Sequence, residues 1–509
     1  MDDRLLGRSF IETADATGAD PAERSTGLID GPAARQTDPS EREAMNMLGR
    51  RDFLTGMGAG ALALGAGLGF TTLRATAGTP LDIRSRETGY DFGNGLTQGL
   101  VSTVDGAAPP VLRLKQHEAA TLRFTNGVED YSTMHWHGVR LPNAMDGVPY
   151  LTQLPQRQGE AYDYTYAPPD AGTFWYHPHC VTMRQMAHGL TGVLIVEEEE
   201  DPGFDFDLPL NLKDFRLGND QELLEYFTPR GAARGGTLGN TMTTNWQRAP
   251  RYDAPSGGLV RLRFAATDTT RIYRLAFPEI EGRIIAWDGH PVNEPLAWPT
   301  RDAPLFLGPG QRVDVALRMP SDEGATLDFL GMHGLEPVTL ASVRSIGASL
   351  NRDLAELKPL PANPVAEPDL ARAERRDLVF GWSPDEMVPN NGLCGTSAYT
   401  FWSIDREPWP GDAAQGVRPV ADLKLGRSYV LRMHNESPND HPIHLHGLTF
   451  KPIRSNQGPV AQNWTDTYLL RKSEVADIAF VADNPGDWAF HCHVIEHQKT
   501  GLSGYVRVS

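Results

Sequence analysis

The 509 residues carry 47 Lys and Arg against 65 Asp and Glu, a formal net charge of -18 that sets nucleic acid and other polyanions aside as partners. The length exceeds one ordinary core and points to about three domains, while 39 Pro and 51 Gly suit a turn-rich, all-β chain. Three cysteines, Cys180, Cys394 and Cys492, are too few for a disulfide framework and odd in number, so at least one is unpaired or a metal ligand.

Residues 1–77 read as an address rather than a domain. Residues 1–44 are polar and lack apolar periodicity, and Met45 or Met47 offers a natural start for a shorter signal. Gly49-Arg50-Arg51-Asp52-Phe53 precedes a weakly apolar run, Leu54 to Leu73, and then Ala75-Thr76-Ala77 in the A-x-A form of a cleavage site. This is the pattern of a twin-arginine export signal, and it implies the twin-arginine machinery as a partner, a periplasmic or secreted product beginning near Gly78, and no permanent membrane anchor.

From 78 to 200, short alternating runs such as Val111-Leu112-Arg113-Leu114 and Thr121-Leu122-Arg123-Phe124 are broken by Pro, Gly and Asn, as strands and turns would be. The style repeats over 201–349, as in Arg312-Val313-Asp314-Val315, which holds only His290 and His333. A connector rich in Pro, Ala and charge covers 350–376, with a short helix expected near Asp369 to Arg375, and 377–509 alternates again. Three β-rich stretches without a long amphipathic helix predict three β-sandwich domains.

Ten of the 15 histidines fall in four motifs. His135-Trp136-His137 and His177-Pro178-His179 each place two imidazoles on one strand face, where both reach the same metal cluster. His441-Pro442-Ile443-His444-Leu445-His446 contains a third such pair, with His441 set apart three residues earlier. In His491-Cys492-His493, followed by His497, the thiol points away from the face carrying the two imidazoles, so one strand serves two sites. One thiolate with two imidazoles is the blue-copper ligand set, whereas a structural zinc site needs only four ligands. Cys180 and Cys394 stay open between one bridge and two buried thiols, since sequence gives no distance between them.

On these motifs the chain resembles the multicopper oxidases, the family of laccases, cuprous oxidases and ascorbate oxidase. The resemblance implies three cupredoxin-like Greek-key domains and four copper ions. It places a type 1 copper on His441, Cys492 and His497, and a type 2 copper on His135 and His444. A type 3 pair falls on His137, His177 and His493, and on His179, His446 and His491. It further implies single electrons passing from a small reducing substrate through Cys492 to His491 and His493, with dioxygen reduced to water. Asp146 stands where the family carries a carboxylate serving protons. Two departures stand out. Leu502 occupies the axial position where many bacterial relatives have methionine, which implies a raised copper potential. Gln498 replaces a glutamate, so Glu496 or Asp146 carries more of the proton traffic.

With 13 Met and, beyond residue 77, no cluster denser than Met183 and Met186, which read as packing residues, phenols or aromatic amines are the expected reductants. Oxidation of Cu(I), Fe(II) or Mn(II) is the alternative, and a non-enzymatic periplasmic role is a third, disfavoured by the complete ligand set.

Overall fold

Some strands alternate buried with exposed side chains, as Ala120–Thr125 does, and others, such as Gly172–Pro178 and Leu259–Ala266, are buried throughout, in the computed structural model, which describes residues 63–64, 70–384, 393–395, 399–412 and 416–509. The Gly49 to Phe53 motif lies outside those residues. In the first stretch the strands Ala63–Leu64 (β1), Thr71–Arg74 (β2), Val111–Lys115 (β3), Met134–His137 (β4), Gly172–Pro178 (β5) and Gly192–Glu197 (β6) form one sheet in the order β1-β2-β3-β6-β5-β4. A three-stranded sheet of Leu81–Arg84, Ala120–Thr125 and Ala161–Tyr166 accompanies it. β2 pairs in parallel with β3, Phe70 is buried and Arg74 ion-pairs with Glu197. The last residues of the segment read as a leader are therefore integral to this sheet.

The second stretch is a six-stranded sheet centred on Leu259–Ala266 and Arg312–Arg318, with a five-stranded one that includes Thr326–Gly331 and Val338–Ile346. Leu208, Leu262, Phe264, Val315 and Phe329 fill its core. In the third, Glu374–Trp382 and Trp402–Ile404 belong to one five-stranded sheet. Ala421–Leu423 (β7), His441–Leu445 (β8), Thr467–Leu470 (β9), Gly486–Cys492 (β10) and Ser503–Val508 (β11) form the other, in the order β7-β11-β10-β8-β9. The helix expected near Asp369 to Arg375 is absent. Asp369 caps a turn through the Ala371 N–H, and a strand begins at Glu374, because pairing with Ser428–Asn435 and burial of Leu378 and Phe380 override the local charge pattern.

One apolar core runs from Trp136, Phe174 and Leu194 of the first stretch to Ile443, Phe490 and Cys492 of the third, so the strands bearing the four motifs share a single packed body. Cys180 and Cys394 are joined as a disulfide. No helix among the described residues is long and apolar enough to cross a membrane.

Candidate metal centre

Strand register decides where each imidazole goes. β4 and β5 pair antiparallel with His135 opposite His177, which brings the first two motifs side by side. β8 and β10 pair with His444 opposite His491 and Ile443 opposite Cys492. Facing residues share a face, and so do residues two apart, so His441 and Cys492 lie on one face of the sheet and His444 and His491 on the other. Simple alternation separates the two sites.

On one face, Cys492 Sγ lies 3.5 Å from Nδ1 of both His441 and His497, and those two nitrogens are 3.1 Å apart. All three side chains are buried, as is Leu502, whose carbonyl accepts the Cys492 N–H. The outer nitrogens are held: His441 Nε2 lies 2.8 Å from Ser437 Oγ, and His497 Nε2 donates to the Arg234 carbonyl at 2.5 Å. Burial pushes the Cys492 thiol up and His497 down to about 4. A cysteine sulfur beside two neutral imidazoles in a dry site suits a soft cation, which would displace the thiol proton on binding.

On the other face the eight remaining histidines converge. His135 is stacked on His446 with ring centres 3.9 Å apart, His137 on His444 at 3.7 Å, and His446 Nε2 is 3.0 Å from His491 Nε2. Three sets of ligand atoms lie within 4.8 Å of one another: His135, His444 and His446; His135, His137 and His177; His179, His446 and His491. His493 closes the group, with its ring 4.9 Å from His137 and 5.2 Å from His177. Burial pushes His137, His177, His179, His446, His491 and His493 well below the ordinary imidazole range, so these rings are neutral.

The second ring nitrogens reveal the purpose. Nδ1 of His135 donates to the Asp146 carbonyl, that of His177 to the Pro178 carbonyl, that of His444 to the Asp466 carbonyl and that of His491 to the Cys492 carbonyl. The opposite nitrogens of His135, His177 and His444 are buried without a protein partner, as are Nδ1 of His137 and of His179 and both nitrogens of His493. Buried polar atoms are rarely left unpaired. Orphaned imidazole nitrogens gathered in one place, with the rings of His135, His137, His177 and His444 fixed from behind by an acceptor, fit a copper cluster.

Two carboxylates brace this centre. Asp146, buried, accepts from His446 Nδ1 at 2.9 Å and lies 3.2 Å from His135 Nδ1. Gly147 makes this possible, since at φ +80° a Cβ would come within 1.9 Å of the Met134 carbonyl oxygen. Asp466, which the motifs did not reveal, accepts from His137 Nε2 at 3.0 Å and from Arg312 at 2.9 and 2.7 Å. Burial opposes its charge, but the Arg312 guanidinium and the neighbouring imidazoles outweigh burial and hold the carboxyl well below the usual carboxylate range. Gly138 leaves room for that guanidinium, because a Cβ there would sit 2.4 Å from Arg312 Nη2.

Glu496 lies elsewhere. Its carboxylate accepts from Thr237 Oγ1 at 2.7 Å and from the Thr237 N–H, both in the second stretch, and burial raises its pKa. Gln498 Nε2 reaches within 3.5 Å of His179 Nε2. Met183 and Met186 pack against Trp175 and Ile495, as packing residues would.

Multicopper oxidase family models match residues 91–201 and 390–509. Copper resistance protein A of Escherichia coli is 31% identical, over 90% of this chain and 99% of that one. The chain belongs to the multicopper oxidase family. The crystal structure of a multicopper oxidase from Pseudomonas thermotolerans superposes with a TM-score of 0.75 at 38% identity, covering 85% of this chain and 100% of that one. A multicopper oxidase of Mycobacterium tuberculosis is 27% identical over 80% of this chain and 82% of its own. This multicopper oxidase is thus an all-β, cupredoxin-like, copper-dependent oxidoreductase with four coppers, one type 1, one type 2 and two type 3. It couples oxidation of a reducing substrate to reduction of dioxygen.

Proposed function

We propose that this oxidase is laccase-like, taking single electrons from phenols or aromatic amines, and that eleven side chains hold its metal: His441, Cys492 and His497 for type 1; His135 and His444 for type 2; His137, His177 and His493 with His179, His446 and His491 for the type 3 pair. The observation that carries the assignment is the set of orphaned imidazole nitrogens converging on one centre beside a separate Cys492, His441 and His497 triangle. Bound copper supplies the redox chemistry, one-electron oxidation at type 1 and four-electron reduction of dioxygen at the cluster.

The chain's own groups orient and insulate. Cys492 sits between His491 and His493 in sequence, so one backbone segment ties the two ligand sets together. Asp146 fixes His446 and stands nearest to serve protons, whereas Glu496, held by Thr237, is the more remote candidate. Leu502, buried and backbone-bonded to Cys492 and His497, would offer a copper held there no donor atom, which favours a high type 1 potential. The division into a first domain ending at 200, 201–349 and 377–509, joined by 350–376, belongs to the same reading, with the first domain taking in Phe70 and Thr71–Arg74 ahead of the expected boundary at 78. Export to the periplasm or beyond by the twin-arginine machinery belongs to it too. An oxidised Cys180–Cys394 pair supports an oxidising compartment.

Oxidation of Cu(I) or another metal ion is the second reading, favoured by the relative named for copper resistance. Absorption spectra of the copper-loaded protein, with oxygen uptake on syringol and on Cu(I), separate the two. The blue thiolate band with syringol turnover supports the laccase-like reading, and turnover with Cu(I) alone would replace it.

A further inference from the structure

Strand pairing fixes His177, which faces His135 across the ladder, but β5 ends at Pro178 and His179 falls one residue beyond it. Its ring also lacks the acceptor that stands behind His135, His177 and His444. Nδ1 is buried without a partner, and Nε2 meets Gln498 Nε2 at 3.5 Å, the outer limit of a hydrogen bond. Yet the ring stands 5.2 Å from His446 and 5.5 Å from His491, in a set that offers three ligand atoms to one ion. Neither ladder nor side-chain acceptor accounts for that placement.

The chain just downstream is held in an unfavourable shape. Val181 has φ +49° and ψ +36°, the left-handed region, which crowds the Cβ of any L residue and is rare for a β-branched one. It caps the short helix Thr182–Ala187 without supplying a side-chain acceptor. Nothing local favours this conformation, so tertiary contacts must impose it. They come from Cys394, whose carbonyl accepts the Val181 N–H at 3.1 Å and whose sulfur is bonded to Cys180, with the two Cα atoms 4.5 Å apart. Both cysteines are buried. The adjoining Leu393 N–H donates to the Tyr150 hydroxyl at 3.4 Å, so the same strap reaches the loop that carries Asp146.

We propose that the Cys180–Cys394 bridge positions His179 for its copper by holding Val181 in the left-handed turn that follows it. The proposal rests on the assignment of His179 to the type 3 pair. Closing the bridge takes one proton and one electron from each thiol; a small-molecule disulfide accepts them and leaves as two thiols. Retention of copper at the cluster is thereby tied to an oxidising compartment, whereas the Cys492, His441 and His497 triangle is independent of the bridge.

The test dialyses the copper-loaded protein against a graded chelator and reads the copper retained, the near-ultraviolet band of the type 3 pair and the blue type 1 band. Cys180→Ser with Cys394→Ser is expected to give up cluster copper at about ten-fold lower chelator, the factor that one left-handed non-glycine residue costs, and to keep its blue band. Leu262→Ala, which loses comparable stability in the separate core of the second stretch, keeps the parent's complement. Val181→Gly added to the serine variant recovers most of the loss, since glycine takes this conformation freely. Copper-free parent opened with a phosphine, freed of it and loaded with Cu(I) under argon retains as little as the serine variant. Parent-like retention in the serine variant or the opened chain, a loss that Leu262→Ala reproduces, or no recovery with Val181→Gly overturns the proposal while the ligand assignment stands. Full cluster copper in His179→Ala overturns both.

Discussion

Asp146 and His446, 300 residues apart in sequence, meet through a 2.9 Å hydrogen bond between Oδ2 and Nδ1 in the buried interior. The same aspartate holds His135 through its backbone carbonyl at 2.8 Å. One short turn therefore sets the orientation of rings from the first and last stretches, and with it which nitrogen each presents to the metal. Asp146→Ala removes the acceptor behind His446 and is expected to lower copper affinity at the cluster by about 10- to 100-fold. Competition with a chelator measures the loss, and the blue type 1 band should persist.

Arg312 has no comparable freedom. Its guanidinium is fully buried, bonded to both oxygens of Asp466 and to the Thr173 and Gly310 carbonyls. Arg312→Leu strands the Asp466 carboxylate in a dry site, and breaking such a pair typically costs about 3 to 5 kcal/mol. The denaturant midpoint should fall accordingly, and Arg312→Leu combined with Asp466→Asn should recover part of the loss.

The four motifs, their same-face geometry and the all-β architecture were legible because they depend on local alternation. Arg312 and Asp466 were not, since neither stands in a motif and their meeting is a tertiary event across 154 residues. Trp402 is equally silent in sequence, where an aromatic on a strand reads as core; the ladder register sets it against Trp382, and tertiary packing sets it against His441 and His497. The strand at Glu374 defeated a helical reading for the same reason, as its run of charges leads into a buried Leu378 and Phe380 that pair with a distant strand.

In the second stretch, burial first and the Asp268 charge second push Asp214 up to about 6, despite a 2.6 Å hydrogen bond from Arg271. The folded state thus binds this proton more tightly than the unfolded chain, whose carboxyl titrates near 3.8. Its contribution to stability is present below that value and is lost as pH rises through about 6. Asp214→Asn is expected to flatten this part of the stability profile, measured by denaturant unfolding across that window.

Cys180 directly follows His179, and its bond to Cys394 closes a sequence separation of 214. Alkylation of the denatured, unreduced, copper-free chain should label Cys492 alone, and all three cysteines after reduction. Cys180→Ser with Cys394→Ser should reduce stability by about 2 to 5 kcal/mol. Three labelled cysteines without reductant would refute the bridge.

Leu502 is buried beside the Cys492 triangle, its carbonyl accepting the Cys492 N–H and its own N–H donating to the His497 carbonyl at 2.9 Å. That backbone register keeps residue 502 in place whatever side chain it carries, so Leu502→Met exchanges a hydrocarbon for a thioether of similar volume with little cost in packing. A thioether donor stabilises oxidised copper relative to a site without one. The type 1 potential in a spectroelectrochemical titration should therefore fall in Leu502→Met, and oxidation of high-potential phenols should slow more than that of easily oxidised ones. A potential that does not move would mean that residue 502 does not face the metal, and the ligand triangle would need another axial neighbour.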